Sequence, residues 1–501
     1  MSETKRIAKN TFLLYIRMFF SMLIGLYTSR VMLHALGIEN YGIYSLVGSV
    51  VILFSFLNSA LSGATQRFLN YQLGKNNEGE LIRTFSMSLN LHMILAVGIL
   101  LVCETVGTWL IYTKLNIPVE RLIAAYITFQ FSILTFLVNI LTAPYNAAII
   151  AYEKMKFYAY LSIVDVSLKL IIVYLLLFSP FDKLILYAIL LFCVQCVVSL
   201  SYIIYCIKKI RSVRYEKYWN NNLFKEMFSY TGWTLLSSAS NIARDQGISI
   251  VMNSFIGVTA NAALGITDQV CSNIYKFVSN FQIAYQPGLV KDYASGDLQQ
   301  MYKIIVFTTK TSYFLLFLLI VPIYFNIESI LTFWLGDYPV YSPSFIRCIL
   351  LFLLIDCISG PFWTTIGATG KMKMYSISMS LILFSNIPIA YIFLYLNLSP
   401  DLCLYYKAFT SLLLFILRIY LTHRYVGFSY NQFWKHIFPY IIFPTIVTIF
   451  IYVFVIEYFV ENPVLKIIYA LLLSGVCVVM GGFTKCERNN IYKMIKMKYS
   501  K

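Results

Sequence analysis

Charged residues are scarce in this chain, and their scarcity excludes a soluble globular protein. Only 12% of its 501 residues are Asp, Glu, Lys or Arg, whereas soluble domains carry about 25%. Histidine occurs four times, and the sequence contains neither an H-E-x-x-H motif nor another metal-ligand cluster. It also lacks a G-x-x-x-x-G-K-[ST] loop and a serine-nucleophile elbow. These absences argue against ATP hydrolysis by this chain and against hydrolytic or metal-dependent catalysis.

The residues that are present are mainly apolar and form long runs. Hydrophobic residues make up 59% of the chain, and the mean hydropathy is +0.73. A run of about 20 apolar residues crosses the hydrocarbon core of a bilayer. Runs of this kind lie near 12–34, 41–62, 85–112, 118–143, 156–178, 184–207, 226–255, 259–285, 304–326, 341–366, 374–397, 402–422, 434–457 and 464–484. The sequence therefore predicts an all-α integral membrane protein of about fourteen transmembrane helices, of which 41–62, 226–255 and 259–285 are unusually polar.

The distribution of positive charge predicts the topology. The net charge is +17. With the N-terminus inside, about 26 cations fall on cytoplasmic ends and loops and about four fall outside. The four outside are Lys114, Arg121, Lys183 and Lys466. This asymmetry predicts that both termini lie in the cytoplasm and that the number of spans is even, and it explains the basic charge without nucleic-acid binding. The basic start and the long apolar stretch behind it, which lacks a small-residue cleavage site, predict an uncleaved first helix.

An internal repeat predicts two similar halves. Residues 144–158 and 361–375 are identical at seven of fifteen positions, at an offset of 217, and both follow an even-numbered span. A weaker match at an offset of 220 relates 29–37 to 249–257. Because six spans separate the copies, both halves point the same way, as in transporters that rock two halves around a central site.

The repeat and the loop lengths predict four parts of the chain. An N-terminal six-helix bundle covers 1–207, a basic cytoplasmic linker covers 208–225, and a C-terminal six-helix bundle covers 226–422. Residues 423–501 add two helices and a basic tail, which we expect on the anionic cytoplasmic leaflet.

Charged residues inside the predicted spans are candidates for function, because a charge at mid-bilayer costs about 2.5–3.5 kcal/mol on insertion scales. They are Arg17, Arg30, Glu104, Asp165, Lys169, Arg244, Asp245, Asp268, Lys276 and Asp356. The central stretches of spans eleven to fourteen carry none, so we expect the charged centre in the two halves and packing in the tail helices.

Polar residues also form stripes at helical spacing on spans one, two, seven and eight. On span eight, for example, Asp268, Gln269, Asn273 and Lys276 share one face. Such faces predict a wet cleft between the halves, although small-residue helix packing is the alternative. Asp165 and Lys169, spaced i, i+4, either serve the cleft or neutralise each other. Arg30 either lines the cleft or snorkels to the outer interface.

Several motifs then resemble a known family. They are the first span with Ser29-Arg30, the stretch Leu36-Gly37-Ile38-Glu39-Asn40-Tyr41-Gly42-Ile43-Tyr44, and the turn from Pro144-Tyr145 to Ala151-Tyr152-Glu153-Lys154-Met155. Over its whole length the chain resembles the polysaccharide (O-antigen) flippases of the multidrug/oligosaccharidyl-lipid/polysaccharide exporter superfamily. The resemblance implies a MATE-like, V-shaped pair of bundles that opens alternately to each leaflet. Its implied cargo is an undecaprenyl-pyrophosphate-linked oligosaccharide, moved from the cytoplasmic to the periplasmic leaflet. A cation-coupled exporter of drugs or small amphiphiles is the alternative with the same fold, and short outside loops disfavour a membrane glycosyltransferase or polymerase.

Burial and charge, and not a family motif, select the candidate site residues. The substrate-binding candidates are Arg17, Arg30, Arg244, Lys276, Asn273 and Gln269, and the ion-coupling candidates are Asp245, Asp268 and Asp165. We expect no catalytic residue, metal or cofactor. The expected partners are the lipid-linked oligosaccharide, membrane lipids, a coupling proton or sodium ion, and the polysaccharide polymerase machinery.

Overall fold

A computed structural model describes residues 10–24, 27–28, 31–32, 36, 43–44, 55–113, 118–460, 462–484 and 487–488. Every regular element in these residues is helical. The first eight helices are α1 (Asn10–Ile24), α2 (Ser55–Gly74), α3 (Glu78–Thr113), α4 (Val119–Ala151), α5 (Met155–Phe178), α6 (Lys183–Lys209), α7 (Asn221–Ile256) and α8 (Val258–Ser295). The next eight are α9 (Leu298–Phe325), α10 (Ile327–Leu335), α11 (Ser342–Ile358), α12 (Gly360–Thr369), α13 (Met372–Tyr395), α14 (Asp401–Val426), α15 (Tyr430–Ile456) and α16 (Pro463–Gly482).

The predicted all-α membrane architecture is confirmed. Within the described residues, nine helices are long and apolar enough to cross a membrane, and the bent pair α11–α12 makes a tenth. Five of the described helices fall short, namely α1, α2, α7, α8 and the nine-residue α10. They include the helices at the predicted spans with the most polar composition. The total of fourteen spans stays a prediction.

Local breaks in the helices follow from the sequence. The axis bends by 43° between α11 and α12, where Ser359 precedes Gly360 and Pro361. Proline fits the first turn of a helix because its missing N–H has no intrahelical partner there. Gly360 permits close packing here, since a Cβ at this position would lie 2.6 Å from Nε2 of Gln282 and 3.0 Å from the Tyr285 hydroxyl, so that these side chains would have to shift.

The chain divides into two compact units, with the boundary between Leu235 and Leu236, inside α7. The first unit has two apolar cores, one around Phe85 and Leu69 and another around Phe129. The second unit has one large core that reaches from α7 to α16. The four-part division at 207, 225 and 422 stays a prediction.

The two copies of the repeat share their local conformation. Glu153 and Gly370 occupy equivalent positions, and both have a positive φ, 56° and 78°. The next residue in each copy, Lys154 or Lys371, is the N-cap of the following helix. The identical apolar positions are buried in both copies, namely Ile149 and Ile366, Ala151 and Ala368, and Met155 and Met372. The sequence identity therefore reflects a common helix–turn–helix structure. The weaker match at 29–37 lies largely outside the described residues.

Candidate functional site

A buried arginine on α7 forms the core of the candidate site. The Arg244 side chain is only 6% exposed, and its Nε and Nη2 lie 2.8 and 3.2 Å from the two carboxylate oxygens of Asp245. This is the two-pronged geometry in which a guanidinium binds a planar anion. A buried guanidinium needs such a partner because desolvation of an unpaired charge costs several kcal/mol.

A second buried cation reaches the same carboxylate from α14. The Nζ of Lys407 lies 2.9 Å from Oδ1 of Asp245. Both cations also lie over the ring of Phe352 on α11, with Cζ of Arg244 at 5.2 Å and Nζ of Lys407 at 4.8 Å from its centroid. An aromatic face attracts cations through its quadrupole. We call Arg244, Asp245, Phe352 and Lys407 the shared-carboxylate cluster.

Asp268 of α8 lies near this cluster without joining it. It is within electrostatic range of Lys407 and Asp245, and among the described residues it forms neither an ion pair nor a hydrogen bond. Its side chain is exposed. Of the three predicted ion-coupling carboxylates, Asp268 is therefore the one without an ion-pair partner among the described residues, which leaves it available to a proton or a small cation.

The other predicted residues of α8 bond to one another along one exposed face. Lys276 donates from Nζ to Oδ1 of Asn273 at 2.8 Å, and Nδ2 of Asn273 donates to the carbonyl of Gln269 at 2.8 Å. Lys276 has no carboxylate partner among the residues that the structure describes. A lysine so placed on a predicted span requires water or an anionic ligand.

In the first unit, the predicted charged residues Arg17 and Asp165 lie near two tyrosines. The guanidinium of Arg17 lies 4.8 Å from the ring centroid of Tyr158, the repeat counterpart of Tyr375. Tyr202 on α6 is within electrostatic range of both Arg17 and Asp165. Asp165 accepts from Nζ of Lys169 at 2.8 Å, so the mutual neutralisation that their i, i+4 spacing allows is present. Arg30 lies outside the described residues.

Sequence reasoning missed two buried cations of span twelve, Lys407 and Arg418. The prediction that the central stretches of spans eleven to fourteen lack charge overlooked them because both lie four to five residues from the predicted ends. Arg418 bonds to the Tyr375 hydroxyl at 3.0 Å and to Asp356 at 3.4 Å. The sequence did contain a pattern that indicates these two cations, because Thr410, Ser411 and Thr422, which are buried, share their helical spacing.

Comparison with known proteins agrees with this architecture. A family model described as "Polysaccharide biosynthesis protein" matches residues 7–291, more than half of the chain. The chain belongs to this family. No curated protein matches the chain.

Several solved structures resemble this chain in fold. A MATE protein in complex with MaD3S superposes with a TM-score of 0.74 at 13% identity, covering 85% of this chain and 97% of the other. A MOP superfamily transporter from Pyrococcus furiosus Vc1, described as having a binding pocket of reverse polarity, superposes with a TM-score of 0.71 at 14% identity. The match covers 84% of this chain and 96% of the other. A multidrug resistance MATE transporter in an outward-facing conformation gives 0.70 at 14% identity, also with 84% and 96% covered. At this identity the similarity shows only that the chain shares the MATE-like fold of these structures.

Proposed function

We propose that this protein is a flippase that moves an undecaprenyl-pyrophosphate-linked oligosaccharide repeat unit from the cytoplasmic to the periplasmic leaflet by alternating access. The product would serve surface polysaccharide synthesis, as O-antigen, capsule or exopolysaccharide. The observation that supports this most is the match to polysaccharide biosynthesis proteins in a multi-pass chain with a transporter fold. The proposed location is the bacterial inner membrane with both termini in the cytoplasm.

The polar side chains of the candidate site suit the physical chemistry of such a cargo. Its lipid tail is stable in hydrocarbon. Its sugar hydroxyls and pyrophosphate would each be destabilised by several kcal/mol if they entered hydrocarbon without hydrogen-bond partners. A path lined by polar side chains lets the head cross while the tail stays in lipid. Amides such as Asn273 and Gln269 suit sugar hydroxyls, which both donate and accept hydrogen bonds.

The shared-carboxylate cluster suits the pyrophosphate. Arg244 and Lys407 together hold one carboxylate, so a phosphate oxygen can take the place of Asp245 on one cation while Asp245 stays with the other. This competition favours release as well as binding, because a site that binds too tightly cannot release its cargo. We propose Arg17, Arg30 and Lys276 as further cations for the head group.

We propose that a proton or sodium ion supplies the energy through Asp268, with Asp245 and Asp165 as the other candidates. A carboxylate that is charged in one conformation and neutralised in the other shifts the equilibrium between them. Contact with the polysaccharide polymerase is a further proposal, since that machinery would consume the flipped repeat unit.

A complementation experiment tests the proposed function. Cells that lack this chain should lose surface polysaccharide and accumulate the lipid-linked repeat unit on the cytoplasmic side, and the restored chain should reverse both changes. Drug sensitivity is measured in the same strains. Unchanged polysaccharide together with increased sensitivity to amphiphilic drugs would establish the multidrug exporter instead.

Variants of Arg244 test the proposed anion site. We expect Arg244→Ala to abolish surface polysaccharide while the protein inserts and accumulates normally, because Asp245 keeps Lys407 as a partner. Arg244→Lys should restore export only in part, since the charge returns without the fork.

Arg347→Ala is the matched control. It removes an arginine that donates from Nη2 to Glu328 at 2.7 Å and from Nε to the Tyr324 carbonyl at 3.1 Å, and it should leave export unchanged. If Arg244→Ala combined with Lys276→Ala leaves polysaccharide display intact, the cations are structural and the anion site lies elsewhere.

A further inference from the structure

The segment between α6 and α7 is a fixed structure and not a free loop. Residues 208–219, which we call the basic strap, comprise the last two residues of α6 and all but the last of the non-helical residues before α7. Ile210 and Val213 are 4% and 1% exposed and belong to the apolar core of the first unit. The amide of Val213 donates to the carbonyl of Ile210 at 3.0 Å, which closes a turn between the two anchors.

Two polar side chains of α3 bind the second part of the basic strap. The amide of Glu216 donates to Oγ of Ser86 at 3.0 Å. Nδ2 of Asn90 donates to the carbonyl of Tyr218 at 3.1 Å, and the Tyr215 hydroxyl donates to Oδ1 of Asn90 at 3.3 Å. Because both ends of the segment are anchored, its outward side chains have a fixed arrangement.

The outward side chains carry a strong positive charge. Five cations of the basic strap are exposed, namely Lys208, Lys209, Arg211, Arg214 and Lys217. Glu216 is the only acidic residue in this segment, and it pairs with Arg214 at 2.9 Å. Four cations therefore remain without an ion-pair partner among the residues described, although cations and anions usually intersperse on a protein surface.

Exposed aromatic rings lie next to these cations. Tyr215 and Trp219 are each 52% exposed, and Phe228 on α7 is 63% exposed. The ring of Trp219 packs against Phe224 with centroids 5.1 Å apart, and Phe224 stacks on Phe228. Tryptophan and tyrosine concentrate at the level of lipid headgroups, where one side of the ring is apolar and the other is wet.

We propose that the basic strap is a binding site for anionic phospholipid headgroups. The strap continues directly from a membrane-spanning helix whose last two residues are Lys208 and Lys209, so its cations lie at headgroup depth. A pre-arranged set of cations binds without the entropy cost of ordering a loop. The adjacent rings favour a lipid surface over an acidic protein, since they match the apolar border of the headgroup layer. This inference is independent of the cargo.

Tryptophan quenching tests the site on the full chain. The protein is reconstituted in phosphatidylcholine nanodiscs in which about one lipid in five is brominated phosphatidylglycerol or, in parallel, brominated phosphatidylcholine. The signal of Trp219 is the difference between the natural chain and Trp219→Phe. Each cation near an anionic surface strengthens binding about fivefold, so we expect phosphatidylglycerol to quench Trp219 at least twice as strongly. The excess should vanish in 1 M salt, where the Debye length falls to about 3 Å.

Charge variants separate the basic strap from the other cations. Lys208→Gln, Lys209→Gln, Arg211→Gln and Lys217→Gln together should abolish the preference for phosphatidylglycerol. The matched control neutralises four exposed cations of the repeated turns, with Lys154→Gln, Lys156→Gln, Lys371→Gln and Lys373→Gln, and should retain it. If the fourfold variant of the basic strap does not fold, K208Q/K209Q at the exposed end of α6 should halve the excess.

Three results would overturn the proposal. The first is equal quenching of the natural chain by both brominated lipids, and the second is a strap variant that keeps the full preference. The third is a natural chain that binds poly-glutamate in pure phosphatidylcholine but ignores phosphatidylglycerol, which would assign the basic strap to an acidic protein partner.

Discussion

At the residue scale, the arrangement of charge explains which substitutions the chain tolerates. Asp245 pairs with two nearly buried cations, and its own side chain is 45% exposed. Each buried cation needs this carboxylate to offset its desolvation, whereas the carboxylate keeps a second partner when either cation is removed. Loss of the carboxylate leaves two desolvated charges, whereas loss of one cation leaves a complete ion pair.

We therefore expect Asp245→Asn to destabilise the protein far more than Lys407→Met. Removal of one partner of a buried pair costs about 3–5 kcal/mol, whereas Lys407→Met removes a desolvated charge and should cost about 1 kcal/mol or less. Denaturation in detergent measures both variants. Lys466→Met, which breaks a pair with the 55% exposed Glu457, serves as the control and should change stability by less than about 0.5 kcal/mol. Equal losses of stability in Asp245→Asn and Lys407→Met would contradict this expectation.

Asp268 carries a prediction about coupling. Because it forms no ion pair among the described residues, its charge is the one most open to titration or cation binding during transport. We expect Asp268→Asn to flip a labelled lipid-linked oligosaccharide in vesicles without responding to an imposed proton or sodium gradient. Asp165→Asn, whose partner is Lys169, should keep most of the response. Full gradient dependence in Asp268→Asn would remove it from this role.

The sequence predicted part of the candidate site. Arg244, Asp245 and Asp268 were identifiable because a charge in the middle of an apolar run has a high cost that only function or pairing offsets. Lys407 was not, because hydropathy treats a lysine near a predicted helix end as a snorkelling residue. Only the tertiary packing of α14 against α11 brings its ammonium to Asp245 and Phe352.

At the element scale, the repeated turn shows how two different residues serve one backbone conformation. Glu153 and Gly370 both have a positive φ, where a side chain is strained by about 1–2 kcal/mol and glycine is not. The sequence repeat marked this turn, but its left-handed residue could not be predicted, because glutamate in one copy gives no sign of it.

Gly370→Ala should therefore destabilise the protein by about 1 kcal/mol. Gly370→Asn should cost less, because asparagine tolerates the left-handed region. Thermal unfolding of the purified variants measures the difference. Gly265→Ala provides the control, since it lies within α8 and a Cβ there meets nothing within 4 Å, so it should be neutral or slightly stabilising. A Gly370→Ala protein as stable as the natural chain would contradict the assigned strain.

The tail helices are more than passive packing. Lys310 in the middle of α9 is fully buried, and its Nζ lies 2.7 Å from both carboxylate oxygens of Glu487, which follows α16. Glu487 also accepts from the amide and hydroxyl of Thr484. The sequence alone could not pair residues so far apart, and it placed Glu487 in a basic tail. This ion pair ties the C-terminal helices to the core of the second unit.

At the scale of the whole molecule, hydropathy predicted the class of fold but could not count every span. Apolar runs identify α3 to α6 and most helices from α9 onward, because a lipid-exposed helix must be apolar around most of its surface. In contrast, α7 and α8 carry polar stripes that lower their mean hydropathy below that of a typical span. The polar residues that indicate function in α7 and α8 therefore also prevent hydropathy from identifying these helices as spans.

Reporter fusions test the topology directly. Fusions at Lys209, where α6 ends, and at Lys371, between α12 and α13, should report the cytoplasm. Fusions at Asp182, which caps α6, and at Asp337, between α10 and α11, should report the periplasm. The reason is that the positive-inside asymmetry fixes the first half and an even number of spans between the repeat copies gives the second half the same orientation. A cytoplasmic signal at Asp337 would place an odd number of spans between the halves, so that the repeat would be inverted and α7 and α8 could not both cross the membrane.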